Sequence, residues 1–186
     1  MYFPEGMSRP RAPQKIARNA FASCALAIAC LLAVSGIQAA EPLPAPKGDV
    51  ILLVSGNLGV TNTPDGAAFD RDMLADLGLA TLETSTPWTD GVQTFEGVLA
   101  RTVIERVEAT GETVMATALN DYMVEVPISD FLDYDVLLAT TMNGQQMQVS
   151  DKGPVWIVYP RDQVPELQNR KLHDRWVWQL KSLQFK

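Results

Sequence analysis

Residues 136–149 read VLLATTMNGQQMQV. An apolar run over 136–142 and a second short segment over 145–149 flank the dipeptide Asn143-Gly144. Asn-Gly is the preferred pair for a two-residue hairpin loop, because both of its residues adopt positive φ readily. The stretch therefore predicts two antiparallel strands joined by a tight turn.

Short strands and short helices are predicted on both sides of this hairpin. Apolar, β-branched runs predict strands, and apolar residues at helical spacing predict helices. Further strands are predicted at 49–55, 79–86, 113–119, 122–126, 155–159 and 176–185, and helices at 67–77, 99–107 and after a cap at Ser129. A turn is predicted at 95–98, and a charged loop with a short helix at 161–174. The pattern indicates an α+β fold, a single domain of mixed or antiparallel β-sheets with a few short helices.

The first 40 residues have the features of an export signal. Four bases lie between residues 9 and 18, an apolar run spans 21–34, and the small-residue stretch SGIQAA follows. This order predicts a secretory signal peptide over residues 1–40, cleaved after Ala39 or Ala40. The apolar run is shorter than the roughly 20 residues that a membrane span needs, which argues against an uncleaved anchor. We therefore expect a periplasmic protein that does not itself insert into the membrane.

The segment after the predicted signal is rich in proline. Residues 41–48 read EPLPAPKG, which predicts a Pro-rich linker without core residues. The folded domain is then expected to span residues 49–186.

Cysteine usage and charge exclude several functions. Cys24 and Cys30 are the only cysteines and lie in the predicted signal, so cleavage would leave no thiolate for a metal, a nucleophile or a redox couple. One acidic and four basic residues precede residue 41, so 21 of the 22 acidic and 11 of the 15 basic residues lie beyond it. So acidic a domain is an unfavourable partner for nucleic acid.

Common catalytic motifs do not appear in the sequence. His173 is the only histidine, and its charged context, NRKLHDR, is more typical of a solvated surface imidazole than of a catalytic triad. There is no G-x-S-x-G motif, and a zinc site would lack ligands. Residues 56–59, GNLG, follow a strand but lack the dinucleotide-binding spacing.

Hydroxyl and tryptophan side chains offer other candidates. Residues 81–91, TLETSTPWTDG, place three hydroxyls at the end of a predicted strand, and Trp88 follows in the loop. Trp88 is a candidate for a ligand-facing ring, whereas Trp156 lies in the apolar run 155–159 and is expected in the core. Trp176 and Trp178 alternate along a predicted strand, so they share a face that is either a core edge or a pocket lining.

Five segments, taken in order, resemble the molybdopterin-binding domain of the sulfite-oxidase superfamily. They are TLETST, FEGVLARTVIERV, ALNDYMVEVP, LLATTMNGQQM and DKGPVWIVYP. The resemblance extends over about residues 51–185 and implies a sulfite-oxidase-type fold in a family of oxidoreductases. The chain is most similar to a short, exported, single-domain branch of that family that carries TSTPW at residues 84–88.

The resemblance also implies where cofactor ligands would fall. The molybdenum-binding cysteine of the family falls at or next to Thr84, an arginine of its last strand on Trp156, and a lysine on Trp178. A hydroxyl is a poor substitute for a thiolate on molybdenum, and two lost cations would leave the pterin phosphate without charge-assisted partners. No cofactor is therefore expected, with molybdopterin as the alternative.

Two functional hypotheses follow from the resemblance. In the first, the protein is an exported binding or sensory accessory module without its own molybdenum redox centre, and its pocket holds a small ligand or part of a membrane-bound signalling or redox partner. The candidate lining residues are Thr84, Ser85, Trp88, Tyr122, Asn143 and Trp156. In the second, the protein is a molybdopterin-dependent oxidoreductase that binds the cofactor without a cysteine ligand. A purely structural interaction domain is a third reading.

Overall fold

The computed structural model describes residues 41–186, and the predicted signal peptide lies outside the described residues. The strands are β1 (Leu52–Gly56), β2 (Ala67–Phe69), β3 (Leu79–Ser85), β4 (Val92–Leu99), β5 (Thr113–Ala118), β6 (Met123–Pro127), β7 (Leu137–Met142), β8 (Gln145–Gln146), β9 (Trp156–Val158) and β10 (Leu180–Phe185). The α-helices are α1 (Arg71–Asp76), α2 (Ala100–Arg106) and α3 (Ile128–Asp133), and two 3-10 helices span Pro165–Gln168 and Arg170–Arg175.

The strands form two five-stranded sheets. The first has the order β2-β1-β10-β5-β6, with β1 and β10 parallel and the other pairs antiparallel. The second has the order β3-β4-β7-β8, and β9 pairs with β7 next to β8. The α+β class with mixed and antiparallel sheets is therefore confirmed.

The hairpin predicted from Asn143-Gly144 forms as expected. Asn143 has φ 52° and Gly144 has φ 74°, which are the positive values that a type I′ turn requires. The Asn143 side chain also joins the turn to β4, because its Oδ1 accepts from the backbone N–H of Thr94 at 3.0 Å and its Nδ2 donates to Gln93 at 2.7 Å. These contacts align the turn of the hairpin with β4.

Apolar side chains from both sheets build one core. β5 alternates half-buried and fully buried positions, as expected for a strand with one face on the core. Trp156 in β9 is fully buried, and its ring lies edge-to-face on Phe95 with 5.3 Å between ring centroids. The expectation that Trp156 packs in the core is therefore confirmed.

The start of the first predicted helix is wrong. Residues 67–69 form β2, which pairs with β1 and places Phe69 opposite Leu52. α1 begins only after Asp70, whose carboxylate accepts from the backbone N–H of Met73 at 2.8 Å. Pairing with β1 buries all three residues of β2, and this outweighs their helical spacing.

The turn predicted at 95–98 is also wrong, because these residues lie inside β4. A Cβ on Gly97 would lie 2.1 Å from the backbone oxygen of Leu138 in β7. Gly97 therefore marks a close approach of two strand backbones and not a turn.

Three further boundaries differ from the sequence predictions. β10 begins at Leu180, so Trp176 and Trp178 precede the strand, and Gln179 between them and the strand has φ 50°. Ser129 lies within α3, and Pro127 occupies the N-cap position. The segment 41–48 does contribute to the core, because Leu43 is buried there.

Across residues 41–186, no helix combines the length and the apolar character needed to cross a membrane.

Candidate functional site

The candidate site is a cleft with a volume of about 320 Å³, called here the aromatic cleft. Its lining comes from the loop after β3, the turn between β5 and β6, and the second 3-10 helix with the segment that precedes β10. The lining residues are Trp88, Ala118, Asn120, Tyr122, His173, Asp174, Trp176, Val177 and Trp178. Five of these side chains carry an aromatic ring, so the cleft can enclose a flat, apolar group.

Trp88 contacts three of the other aromatic rings that line the cleft. Its ring centroid lies 5.2 Å from that of Trp178, 5.8 Å from that of His173 and 6.1 Å from that of Trp176. Its loop is ordered by Thr86, whose hydroxyl accepts from the Trp88 N–H at 3.1 Å and lies 2.9 Å from the Thr89 hydroxyl. Trp88 is nevertheless 37% exposed, so it forms a wall of the cleft that solvent can reach.

Tyr122 connects the turn after β5 with the second 3-10 helix. Its hydroxyl donates to the backbone oxygen of Asp174 at 3.2 Å, and its backbone N–H donates to Asn120 at 3.1 Å. Burial and the nearby Asp174 raise the pKa of Tyr122 above its usual range. The phenol is therefore protonated at neutral pH and keeps its role as a donor.

His173 and Trp176 contribute buried nitrogens to the lining. The Nε2 atom of His173 and the Nε1 atom of Trp176 are buried and have no hydrogen-bond partner among residues 41–186. Burial, then the charges of Arg161 and Arg170, lower the pKa of His173, so its imidazole is neutral near pH 7. The expectation that His173 is a solvated surface imidazole holds only in part, because the side chain is half-buried and its ring packs against Trp88.

A buried carboxylate holds the second 3-10 helix in place. Asp130 in α3 accepts from Arg175 at 2.7 Å and from the Tyr159 hydroxyl at 2.9 Å, both on its Oδ2. Burial and then Asp130 raise the pKa of Tyr159, so the phenol stays protonated and donates. The Tyr159 ring in turn packs on Trp176 with 5.4 Å between centroids. These contacts position the floor of the aromatic cleft.

The hydroxyls at the end of β3 form a separate polar cluster. Ser85 donates to the Asp162 carboxylate through its hydroxyl at 2.7 Å and its backbone N–H at 2.6 Å, and the Ser85 hydroxyl accepts from Arg161. The Ser85 hydroxyl, then its N–H and the nearby Arg161 charge, lower the pKa of Asp162. Thr84 is fully buried, and its hydroxyl accepts from the Asp162 N–H at 3.2 Å and donates to the Ser85 carbonyl at 3.3 Å. We call Thr84, Ser85, Arg161 and Asp162 the polar lock.

The six candidate residues from the sequence therefore do not line one pocket. Trp88 and Tyr122 line the aromatic cleft, and Thr84 and Ser85 belong to the polar lock. Asn143 is at the tip of its hairpin, and Trp156 is in the core. Sequence reasoning missed the contribution of His173, although the adjacent run RWVW at 175–178 was a signal that rings would surround it.

Comparison with known proteins identifies the class of domain. Residues 73–164 match the family model of the oxidoreductase molybdopterin binding domain, and the resemblance inferred from sequence is confirmed.

A solved structure has the same type of fold. The sulfane dehydrogenase SoxCD from Paracoccus pantotrophus matches with a TM-score of 0.53 and 16% sequence identity, over 77% of this chain and 40% of that one. At this identity the likeness shows the sulfite-oxidase-type fold alone, and this chain spans well under half of that chain. No curated protein sequence matches this chain.

The family binds molybdopterin, and the residues described here are a poor fit to that cofactor with its metal. Residues 41–186 contain no cysteine. The Thr84 hydroxyl already donates one hydrogen bond, to Ser85, and accepts another, from Asp162. Within the same range, no group of three or more His, Cys, Asp or Glu side chains could hold a metal ion. The lining of the aromatic cleft includes no Arg or Lys, so it offers no strong charge-assisted partner for a pterin phosphate.

Proposed function

We propose that this domain is a binding module that holds a small ligand in the aromatic cleft and has no molybdenum redox centre of its own. The observation that carries the proposal is the state of Thr84. This residue occupies the position that the resemblance assigns to the metal-binding cysteine. Its hydroxyl is buried and accepts a hydrogen bond from the backbone N–H of Asp162.

The dimensions and the chemistry of the cleft support ligand binding. A volume of about 320 Å³ is at the lower end of the range for small-molecule sites. The rings of Trp88, Trp176 and Trp178 provide apolar contact area, and Tyr122, Asn120 and His173 provide polar groups around it. Such a mixture binds a compact molecule with one flat face and one polar group.

The proposal extends to a sensory or accessory role in the periplasm. It is supported by the signal-like sequence of residues 1–40 and by the acidic balance of the remainder. Large apolar side chains beside the cleft, Leu119, Tyr122 and Met123, are exposed and would be covered by a membrane-bound signalling or redox partner.

The second candidate function is a molybdopterin-dependent oxidoreductase without a cysteine ligand, and the family match favours it. In such an enzyme the cofactor would supply the redox chemistry, and this chain would hold the pterin. Because hydrogen bonds to Ser85 and Asp162 already occupy the Thr84 hydroxyl, the protein would supply no ligand to the metal from that position.

Elemental analysis separates the two candidates. The protein is purified after export from a host that loads a known molybdopterin enzyme expressed in parallel. We expect neither stoichiometric molybdenum nor the fluorescence of an oxidised pterin, because residues 41–186 contain no thiolate and no Arg or Lys lines the aromatic cleft. One molybdenum per chain would contradict the binding-module proposal.

The variant Thr84→Cys provides a control on the same position. It adds the missing thiolate but also breaks the hydrogen bond from Asp162 to the Thr84 side chain. We expect this variant to stay free of metal as well, since the aromatic cleft still lacks cations.

A further inference from the structure

We infer that the ligand of the aromatic cleft is a small aromatic carboxylate. Its ring would lie against Trp88 and Trp178, and its carboxylate would accept hydrogen bonds from Trp176 Nε1 and His173 Nε2. This inference rests on the proposed function, which it deepens by naming the class of ligand.

The unpaired buried atoms indicate what the ligand must provide. Four buried side-chain atoms in residues 41–186 have no partner, and all four are nitrogens, on Arg101, Arg161, His173 and Trp176. An indole N–H donates only, so the partner of Trp176 Nε1 must be an acceptor. Burial of an unpaired donor is unfavourable, and an acceptor supplied by a ligand relieves that penalty.

The position of these two nitrogens links them to the cleft. Trp176 and His173 both line it, and only 1% of the Trp176 surface is exposed. A carboxylate accepts from two N–H groups at once, and a hydrogen bond to a charged acceptor is stronger than one to a neutral acceptor. A single carboxylate therefore satisfies both nitrogens when His173 is the tautomer that carries its proton on Nε2.

Charges around His173 favour an anion over a neutral ligand. The positive charges of Arg161 and Arg170 both act on His173. Arg161 is partly compensated by Asp162 at 3.6 Å, whereas Arg170 makes no ion pair within the described range. Arg161 has the larger effect on His173, Arg170 adds to it, and Asp174 opposes both.

One feature of the cleft favours the opposite class of ligand. Asp174 is an exposed carboxylate in the lining, and aromatic rings attract organic cations. The same aspartate already engages Tyr122 through its backbone oxygen. The Trp176 indole N–H needs an acceptor, which an organic cation does not supply, so the anion is the class that the observations favour.

Access to the two nitrogens requires Trp88 to move. Both atoms are covered, and the Trp88 ring packs on both side chains that carry them. Trp88 is part of an exposed loop in which one hydrogen bond to Thr86 holds its backbone N–H and Gly91 has φ 66°. The ligand would enter as the Trp88 ring swings outward and would then stack against it.

Nuclear magnetic resonance of the indole N–H groups tests this assignment. The four tryptophans give four indole signals, and Trp176→Phe identifies the one that belongs to Trp176. Three probes of matched size are titrated: 3-phenylpropanoate, 3-phenylpropan-1-ol and 3-phenylpropan-1-amine. We expect 3-phenylpropanoate to bind most tightly and to shift the Trp176 signal downfield, as a new hydrogen bond does.

Variants then test which groups hold the carboxylate. Trp176→Phe and His173→Phe keep a ring but remove the nitrogen, so each should weaken 3-phenylpropanoate by about tenfold or more and weaken the alcohol, a neutral acceptor, by less. Tyr134→Phe is the control, because it removes a polar atom from a ring that packs on the core outside the lining of the aromatic cleft. Its affinity for 3-phenylpropanoate should stay that of the unaltered protein.

The outcomes separate this inference from the proposed function. Tighter binding of the amine or the alcohol, an unmoved Trp176 signal, or equal affinity in Trp176→Phe would overturn the carboxylate assignment. Binding of the amine or the alcohol in the cleft would still agree with a binding module. The molybdenum measurement decides that proposal separately.

Discussion

Trp88 and Trp156 are the same residue type in two different environments. Trp156 is fully buried between β7 and the core, while Trp88 is on a loop and more than a third exposed. Both make edge-to-face ring contacts, Trp156 with Phe95 and Trp88 with Trp178. Ring contacts alone therefore do not distinguish a core residue from a wall of the cleft, and the exposed fraction does.

Alanine substitution should separate the two tryptophans. Trp156→Ala leaves a large cavity and should lower the free energy of unfolding by about 3–5 kcal/mol. Trp88→Ala loses ring contacts at a partly solvated site and should cost only about 1–2 kcal/mol. Chemical denaturation measures both. Equal losses would show that Trp88 is part of the core.

Thr84 shows how a neighbour far along the chain determines what a side chain can do. Its hydroxyl would be a free group at the end of an isolated β3. In the folded protein it is bonded to the backbone of Asp162, 78 positions away. The chemistry of this position is therefore set by the segment after β9.

At the scale of elements, Asp70 joins α1 to the N-terminal segment. Its carboxylate accepts from the N–H of Met73, which caps α1, and from the N–H groups of Lys47 and Gly48. Hydrogen bonds from Gly48 and then Met73 lower the pKa of Asp70, and partial desolvation opposes them. One charged side chain thus stabilises a helix end and holds residues 41–48 on the domain.

The stability contributed by Asp70 should depend on pH. A carboxylate whose pKa is lowered by folding stabilises the protein above its unfolded value of about 3.8, and this contribution is lost as the pH falls through the lower folded pKa. We expect the unaltered protein to lose its advantage over Asp70→Asn as the pH falls below about 3.8, since Asn keeps the cap but does not titrate. Denaturation at a series of pH values measures this. A stability difference between the two proteins that is constant over this range would contradict the assignment.

At the scale of the whole molecule, Asp130 connects three distant segments. It contacts Arg175 at the end of the second 3-10 helix and Tyr159 just after β9, and it belongs to α3 itself. Trp176 follows Arg175 directly and packs on Tyr159. The aromatic cleft therefore depends on an ion pair that lies outside its lining.

Removal of the Arg175 charge, which pairs with Asp130, should destabilise the domain and loosen the aromatic cleft. Arg175→Met leaves Asp130 buried without its charged partner, and we expect a loss of about 2–4 kcal/mol, less than for a fully buried pair because Arg175 is partly exposed. Denaturation followed by tryptophan emission measures the loss, and the emission of the native state should shift to longer wavelength. Lys181→Met, which breaks the exposed pair with Asp121 at 3.9 Å, is the control and should change stability by less than about 0.5 kcal/mol.

Much of the fold follows from local sequence patterns. Asn143-Gly144 predicts its hairpin because those two residues adopt positive φ, and Asp70 predicts a helix start because its side chain caps the backbone three residues on. The predictions failed where partner strands overrode local spacing, as at residues 67–69, and where Gly97 serves a close strand contact that no local pattern reveals.

The sequence by itself determined the α+β class, the hairpin, the family of the domain and the loss of the thiolate from residues 41–186, since each depends on residue identity or on spacing over a few positions. Only the tertiary structure decided that Trp88 borders a cleft, that His173 joins it and that the Thr84 hydroxyl is engaged. The physical reason is that these environments are made by segments about 80 residues apart, which meet only when two sheets share one core.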